Sequence, residues 1–150
     1  MPTMVTIKEI ETDSLAELNE LYRELTGELT DPARLGETYA SVKADSRYIL
    51  LGAYVDGELL GSLMGILCQD LVGECRPFMV IENVVVSARA RRQGLAKQLM
   101  TAIEKLACER NCYYIILVSG EKRKEAHVFY EKMGYREERV EGYRKHLSSH

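Results

Sequence analysis

Apolar positions recur along the chain with two spacings, and the places where one gives way to the other mark out its elements. Met4 to Ile10 alternates weakly and carries β-branched residues, which predicts a first strand. Leu15, Leu18, Leu21, Tyr22 and Leu25 then fall on one helical face. Ser14-Leu15-Ala16-Glu17 has the capping-box pattern at the start of that helix, and Gly27 stops it. Asp31-Pro32 predicts a second helix start, with Leu35, Tyr39 and Val42 at helical spacing behind it. Tyr48 to Val55 and Glu58 to Leu67 flank Asp56-Gly57, the strongest short hairpin signal in the chain. Gly52, Gly61 and Gly65 within these arms predict a bulge or a close backbone contact.

After a polar connection from Gln69 to Pro77, Phe78 to Val86 reads as a central strand, too uniformly apolar for an exposed edge. Leu95, Ala96, Leu99, Met100, Ile103, Leu106 and Ala107 mark an amphipathic helix from Gln93 to about Arg110. Tyr113 to Val118 predicts a buried strand, and Glu125 to Met133 a short helix with Gly134 at its C′ position. Tyr135 to Val140 and Gly142 to Leu147 predict a closing hairpin, with the last three residues fraying. No repeat, low-complexity tract or linker interrupts this order. The expectation is a single domain over residues 1–150 of mixed α/β class.

The stretch from Val80 to Lys97 carries the first chemical signal, because an apolar strand runs through a basic loop into a helix. The first N–H groups of a helix have no partner inside it, and the helix dipole adds partial positive charge there, so main chain alone can hold an anion. Gly94 removes a side chain that would hold a phosphate off, and Ala96 keeps the next approach narrow. Arg89, Arg91 and Arg92 add guanidinium groups that fork onto phosphate oxygens. A diphosphate fits this better than a lone carboxylate. Neither G-x-x-x-x-G-K-[ST] nor a complete G-x-G-x-x-G is present, so a P-loop and a dinucleotide fingerprint are excluded.

Composition narrows the partners. Apolar residues at 46% and charged residues at 29% describe an ordinary globular protein, and a formal charge of −3 argues against a general nucleic-acid binder. No apolar run reaches the ~18 residues of a membrane span, and the N-terminus begins no signal peptide, so a cytoplasmic location without membrane association is the default expectation. Cys68, Cys75, Cys108 and Cys112 form no C-x-x-C and lack nearby histidines. They read as reduced and structural, and no metal site is expected.

Arg91-x-x-Gly94-x-Ala96 after a Val-rich strand resembles the Q/R-x-x-G-x-G/A pyrophosphate loop of the GNAT superfamily of acyl-CoA N-acyltransferases. A second segment, Ala126-His127-Val128-Phe129-Tyr130-Glu131-Lys132-Met133-Gly134-Tyr135, is similar to that family's A-x-x-F-Y-x-K-x-G-[FY] motif. The resemblance covers most of the chain from about Tyr48 onward. It implies the order β-α-α-β-β-β-α-β-α-β-β, with a central, mostly antiparallel mixed sheet of about seven strands and about four helices. It also implies acetyl-CoA as cosubstrate and, as a possible assembly, a homodimer through the C-terminal strands. Backbone groups of Val84 and Val86 would then run along the pantetheine arm, and those of Arg91, Arg92, Gln93, Gly94, Leu95, Ala96 and Lys97 would hold the pyrophosphate. Phe129 belongs to the same cofactor-binding set. Arg123 stands where the family often has asparagine, three residues before Ala126, and could instead reach a phosphate of the nucleotide or of a substrate.

Acyl transfer from a thioester to an amine needs a base, because an alkylamine of pKa ~10 is nearly all protonated at neutral pH, an offset of ~4 kcal/mol. The leaving thiolate benefits from a weak acid. Tyr130 sits where the resemblance places the tyrosine that protonates the thiolate. Glu82, an ionisable residue in an otherwise apolar strand, is the candidate base, acting directly or through water. Strand alternation puts Glu82, Val84 and Val86 on one face and Asn83 and Val85 on the other. The expected acceptor is a primary amine on a small molecule. Segments of the chain resemble glucosamine-6-phosphate N-acetyltransferases and others aminoalkylphosphonate acetyltransferases, which leaves the acceptor open. A protein lysine or N-terminal acetyltransferase and a non-catalytic acyl-CoA-binding module are the rival readings.

Overall fold

Five strands, β1 (Val5–Glu9), β2 (Tyr48–Val55), β3 (Glu58–Cys68), β4 (Phe78–Val86) and β5 (Ile115–Leu117), lie side by side in chain order in the computed structural model. Residues 3–118, 124–135, 138 and 140–147 are described. They fall into two units, Met1–Leu117 and Val118–His150. Within the first unit β1 to β4 pair antiparallel, while β4 and β5 run parallel. The parallel pair follows from its connection: α3 (Leu95–Glu109) is the crossover that a parallel neighbour requires. Asp56 and Gly57 have φ of 50° and 87°, the left-handed pair that a two-residue hairpin turn demands.

Helices α1 (Leu15–Thr26) and α2 (Pro32–Ala44) cover one face of the sheet, and α3 covers the other. The α3 face is tight. A Cβ on Gly65 would meet Ile103 Cδ1 at 2.9 Å, and one on Gly61 would meet Leu99 Cδ1 at 3.3 Å, so these glycines let the helix lie close to β3. Leu63, Met79, Leu95, Leu99, Met100 and Ile103 are fully buried. The other face gathers Ile10, Leu18, Leu21, Tyr39, Tyr54, Leu59 and Val85. Its buried hydroxyls are paired: Tyr39 donates to the Ile10 carbonyl at 2.7 Å, and the Ser14 and Tyr54 hydroxyls share a 2.7 Å bond. Gly27 ends α1 in the left-handed conformation, and Asp31 caps α2 by accepting from the Arg34 N–H.

The structure departs from the patterning in several places. The capping box at Ser14 does not form, because the Ser14 hydroxyl is committed to Tyr54 and the Glu17 carboxylate accepts the Leu59 N–H at 2.9 Å. Helix α3 begins at Leu95 rather than Gln93, since Gly94 at φ 74° is its left-handed N-cap. Strand β5 is three residues long and half-buried instead of a buried strand from Tyr113. The described sheet has five strands rather than about seven. Of the expected closing hairpin, residues 136, 137 and 139 lie outside the described residues, Tyr135 ends a π turn, and residues 140–147 take no regular structure. In the second unit α4 (Lys124–Tyr130) continues into a π turn over Glu131–Tyr135, in which Gly134 takes φ 98°. Among the described residues no helix is long and apolar enough to cross a membrane, and the four cysteines are free.

Candidate active site

The site starts from an irregularity in β4. Cross-strand partners run in step from Phe78 and Cys68 to Glu82 and Met64, then slip between Met64 and Ser62, so that Asn83 and Val84 together oppose Leu63. Asn83 absorbs the extra residue at φ 55°, a conformation that asparagine tolerates better than its branched neighbours. This bulge overturns the simple alternation expected for the strand. Met79 and Ile81 face α3, as Gly65's neighbours Met79 and Ile103 require, yet Val85 lies in the cluster under α1. Glu82 therefore shares its face with Val80 and Val85, and the side chains of Val84 and Val86 turn to the α3 face.

The same slip re-aims the backbone. Ser87 N–H donates to the Leu60 carbonyl at 2.8 Å on the β3 side, so alternation turns the backbone groups of Val86 and Val84 to the opposite edge. On that edge pairing with β5 ends at Ile81 and Leu117. Among the described residues β4 has no strand partner there from Glu82 to Val86, which leaves about 16 Å of open edge at ~3.3 Å per residue. Unpaired strand groups of this kind accept an extended ligand with its own donors and acceptors.

The basic loop follows directly. The Ser87 hydroxyl accepts the Arg89 N–H, and the Ala88 N–H is bonded to Glu24 of α1 at 2.8 Å, so the loop is tied at its root. Arg92 and Gly94 take φ of 67° and 74°. The turn delivers the chain into α3 with no side-chain cap at Gly94, and the first internal helix bond runs from the Gln98 N–H to the Gly94 carbonyl. The N–H groups of Leu95, Ala96 and Lys97 thus lie at an open helix start. A Cβ on Gly94 would meet none of the described residues within 4 Å, so none of them crowds the chain at that point. Leu95 anchors the turn by burying its side chain, while Arg91, Arg92, Gln93 and Lys97 are exposed around it. Arg89, expected to add charge to the phosphate site, is instead paired with Glu58, which holds its guanidinium pKa above the usual value.

Tyr130 and Phe129 lie in the second unit at the end of α4, with ring centroids 5.3 Å apart edge to face; Tyr130 also meets Tyr135 at 6.2 Å. Arg123 lies outside the described residues. Patterning missed the bulge, the left-handed Arg92 and the Glu24 tie. Asparagine after an acidic residue inside an apolar strand was the one signal that pointed to the bulge.

Among the described residues, then, the α/β sheet has an open strand edge that runs into an uncapped helix start. Residues 14–135 match the model of the Acetyltransferase (GNAT) family, and the chain belongs to that family. A glucosamine 6-phosphate N-acetyltransferase of Trypanosoma brucei brucei is 34% identical over 80 residues, 53% of this chain and 52% of that protein. The match thus spans about half the length of the curated relative. Among solved structures, a transcriptional regulator from Bacillus halodurans C-125 superposes with a TM-score of 0.89 at 26% identity, covering 96% of this chain and 100% of the other. A glucosamine-6-phosphate N-acetyltransferase from Arabidopsis thaliana gives 0.85 at 20% identity, with 97% and 99% covered.

Proposed function

We propose that this chain transfers acetyl from acetyl-CoA directly to a primary amine of a small molecule, with residues 1–150 acting as one domain. The observation that carries this reading is the continuity of the β4 edge, open from Glu82 to Val86 among the described residues, with the uncapped start of α3 at Gly94. The residues fit the cosubstrate. Backbone groups of Val84 and Val86 would hold its pantetheine arm, and the N–H groups from Arg91 to Lys97 its pyrophosphate, with Arg91, Arg92 and Lys97 adding charge. When bound, acetyl-CoA supplies an activated acyl group. The family match runs from residue 14 to 135 across both units, which supports treating them as one domain.

Glu82 stands one residue past the last β4–β5 pair, exposed, and on the face away from α3. From there its carboxylate takes a proton from the incoming ammonium, directly or through one water, and the neutral amine attacks the thioester. Tyr130 donates its phenolic proton to the departing thiolate, and the second proton, shed by the nitrogen as the C–S bond breaks and the amide forms, returns to the phenolate through water. No covalent enzyme intermediate is required.

The test is mass-detected acetylation of an amine panel, with Glu82→Gln and Tyr130→Phe beside the wild type. Loss of the base lowers kcat by ~10²–10⁴-fold while acetyl-CoA affinity is kept. Full turnover by Glu82→Gln would remove Glu82 from the mechanism, and coenzyme binding without product from any amine would overturn the enzymatic reading.

A further inference from the structure

The face of the sheet that carries Glu82 is covered unevenly. At one end Gly52, Tyr54, Ser62 and Val85 lie buried beneath α1 and α2. At the other, two cross-strand rows continue the same face: Tyr48, Ile66 and Val80 form one, and Leu50, Met64 and Glu82 the other. The five apolar members are half-buried and Glu82 is exposed. Register and burial together describe an apolar shelf with one carboxylate at its β4 end. In both rows Glu82 is the one charged side chain, and neither row holds a cation.

From this we propose that the acceptor is a primary amine carried on an apolar body, of the aralkylamine class, and not a phosphorylated amino sugar. The proposal rests on the acetyltransferase reading above and specifies its acceptor. An ammonium placed at Glu82 leaves the rest of the molecule over Met64, Leu50, Ile66 and Val80, where apolar carbon replaces water. A phosphate on the same molecule would be laid on that shelf, without a cationic partner in either row and within the field of the Glu82 carboxylate, so both desolvation and repulsion act against it. Met64 is the specificity-determining residue, because it is Glu82's direct cross-strand neighbour.

The experiment compares phenethylamine with glucosamine 6-phosphate at saturating acetyl-CoA, in the wild type and in Met64→Lys, with acetyl-CoA affinity measured by titration in each. For the wild type, kcat/KM for phenethylamine exceeds that for glucosamine 6-phosphate by at least about tenfold, the discrimination that one or two well-buried methylenes supply. Met64→Lys lowers the phenethylamine value by about tenfold, mainly through KM, and narrows the ratio, while acetyl-CoA affinity stays within about twofold. Equal or better use of glucosamine 6-phosphate by the wild type overturns the proposal and leaves the acetyltransferase reading standing. An unchanged ratio in a folded Met64→Lys also overturns it. Transfer to neither amine, nor to any other amine of the panel, overturns both.

Discussion

Replacing Gly94 separates two roles of one residue, a backbone conformation and a clear approach to the α3 start. Its φ of 74° is strained for any L residue, at a cost of roughly 1–2 kcal/mol, and a Cβ there touches none of the described residues, so Gly94→Ala and Gly94→Glu share the same strain. In a domain of this size that lowers Tm by roughly 2–8 °C in both variants. Only glutamate adds a like charge where the pyrophosphate would lie. A carboxylate about 4 Å from a phosphate costs about 1 kcal/mol in water and about 4 at an effective dielectric of 20, so at this exposed loop we expect roughly 1–3 kcal/mol. Coenzyme A affinity should then fall roughly 5- to 150-fold further in Gly94→Glu than in Gly94→Ala. Calorimetric titration of both variants measures it, and repeating the titration at 1 M salt should shrink the gap because exposed charges are screened. Equal affinity of the two variants at low salt would refute the assignment of this loop to the pyrophosphate.

Two further outcomes follow from the packing. Burial pushes the Tyr22 phenol up to about 12, so the folded state holds that proton more tightly than the unfolded chain does. The associated stability is fully present below about pH 10 and is lost as pH rises through about 12, up to about 3 kcal/mol. Urea unfolding between pH 9 and 12 should therefore fall more steeply for the wild type than for Tyr22→Phe, and parallel curves would contradict the shift. Gly65→Ala drives a methyl group to 2.9 Å from Ile103 Cδ1 and should destabilise by roughly 1–3 kcal/mol. Pairing it with Ile103→Val, which deletes that Cδ1, should recover part of the loss; simple additivity in urea melts would locate the strain elsewhere.

Where a local residue choice decides an element, the sequence was enough. Asp56-Gly57 set the hairpin, Asp31-Pro32 the start of α2, and the β-branched run from Phe78 to Val86 bounded β4 at both ends. The loop motif likewise led to the open helix start at Gly94. What escaped depends on partners distant in the chain. Ser14 and Glu17 have the right spacing for a capping box, but Tyr54 and Leu59, some forty residues on, compete for their side chains and win. Arg89 reads as phosphate-binding charge until Glu58 is brought beside it. The bulge at Asn83 preserves an apolar pattern while reversing which face each residue meets, so periodicity alone cannot register it. The apolar shelf beside Glu82 is visible only once three strands are in register.

The extra residue in β4 also bears on how this protein can change. In the function proposed above, the strand would offer the site a side chain before it, at Glu82, and main chain after it, at Val84 and Val86. Deleting Asn83 would restore an unbroken ladder with Val84 opposite Leu63, and it would leave Val85 opposite Ser62 and Val86 opposite Gly61, so Val85 would keep its place in the cluster under α1. A single deletion here should thus cost less than a deletion elsewhere in the strand, which would slip the register of every residue beyond it. Divergent relatives of this chain should vary in the length of β4 at this point before they vary in it anywhere else along the strand.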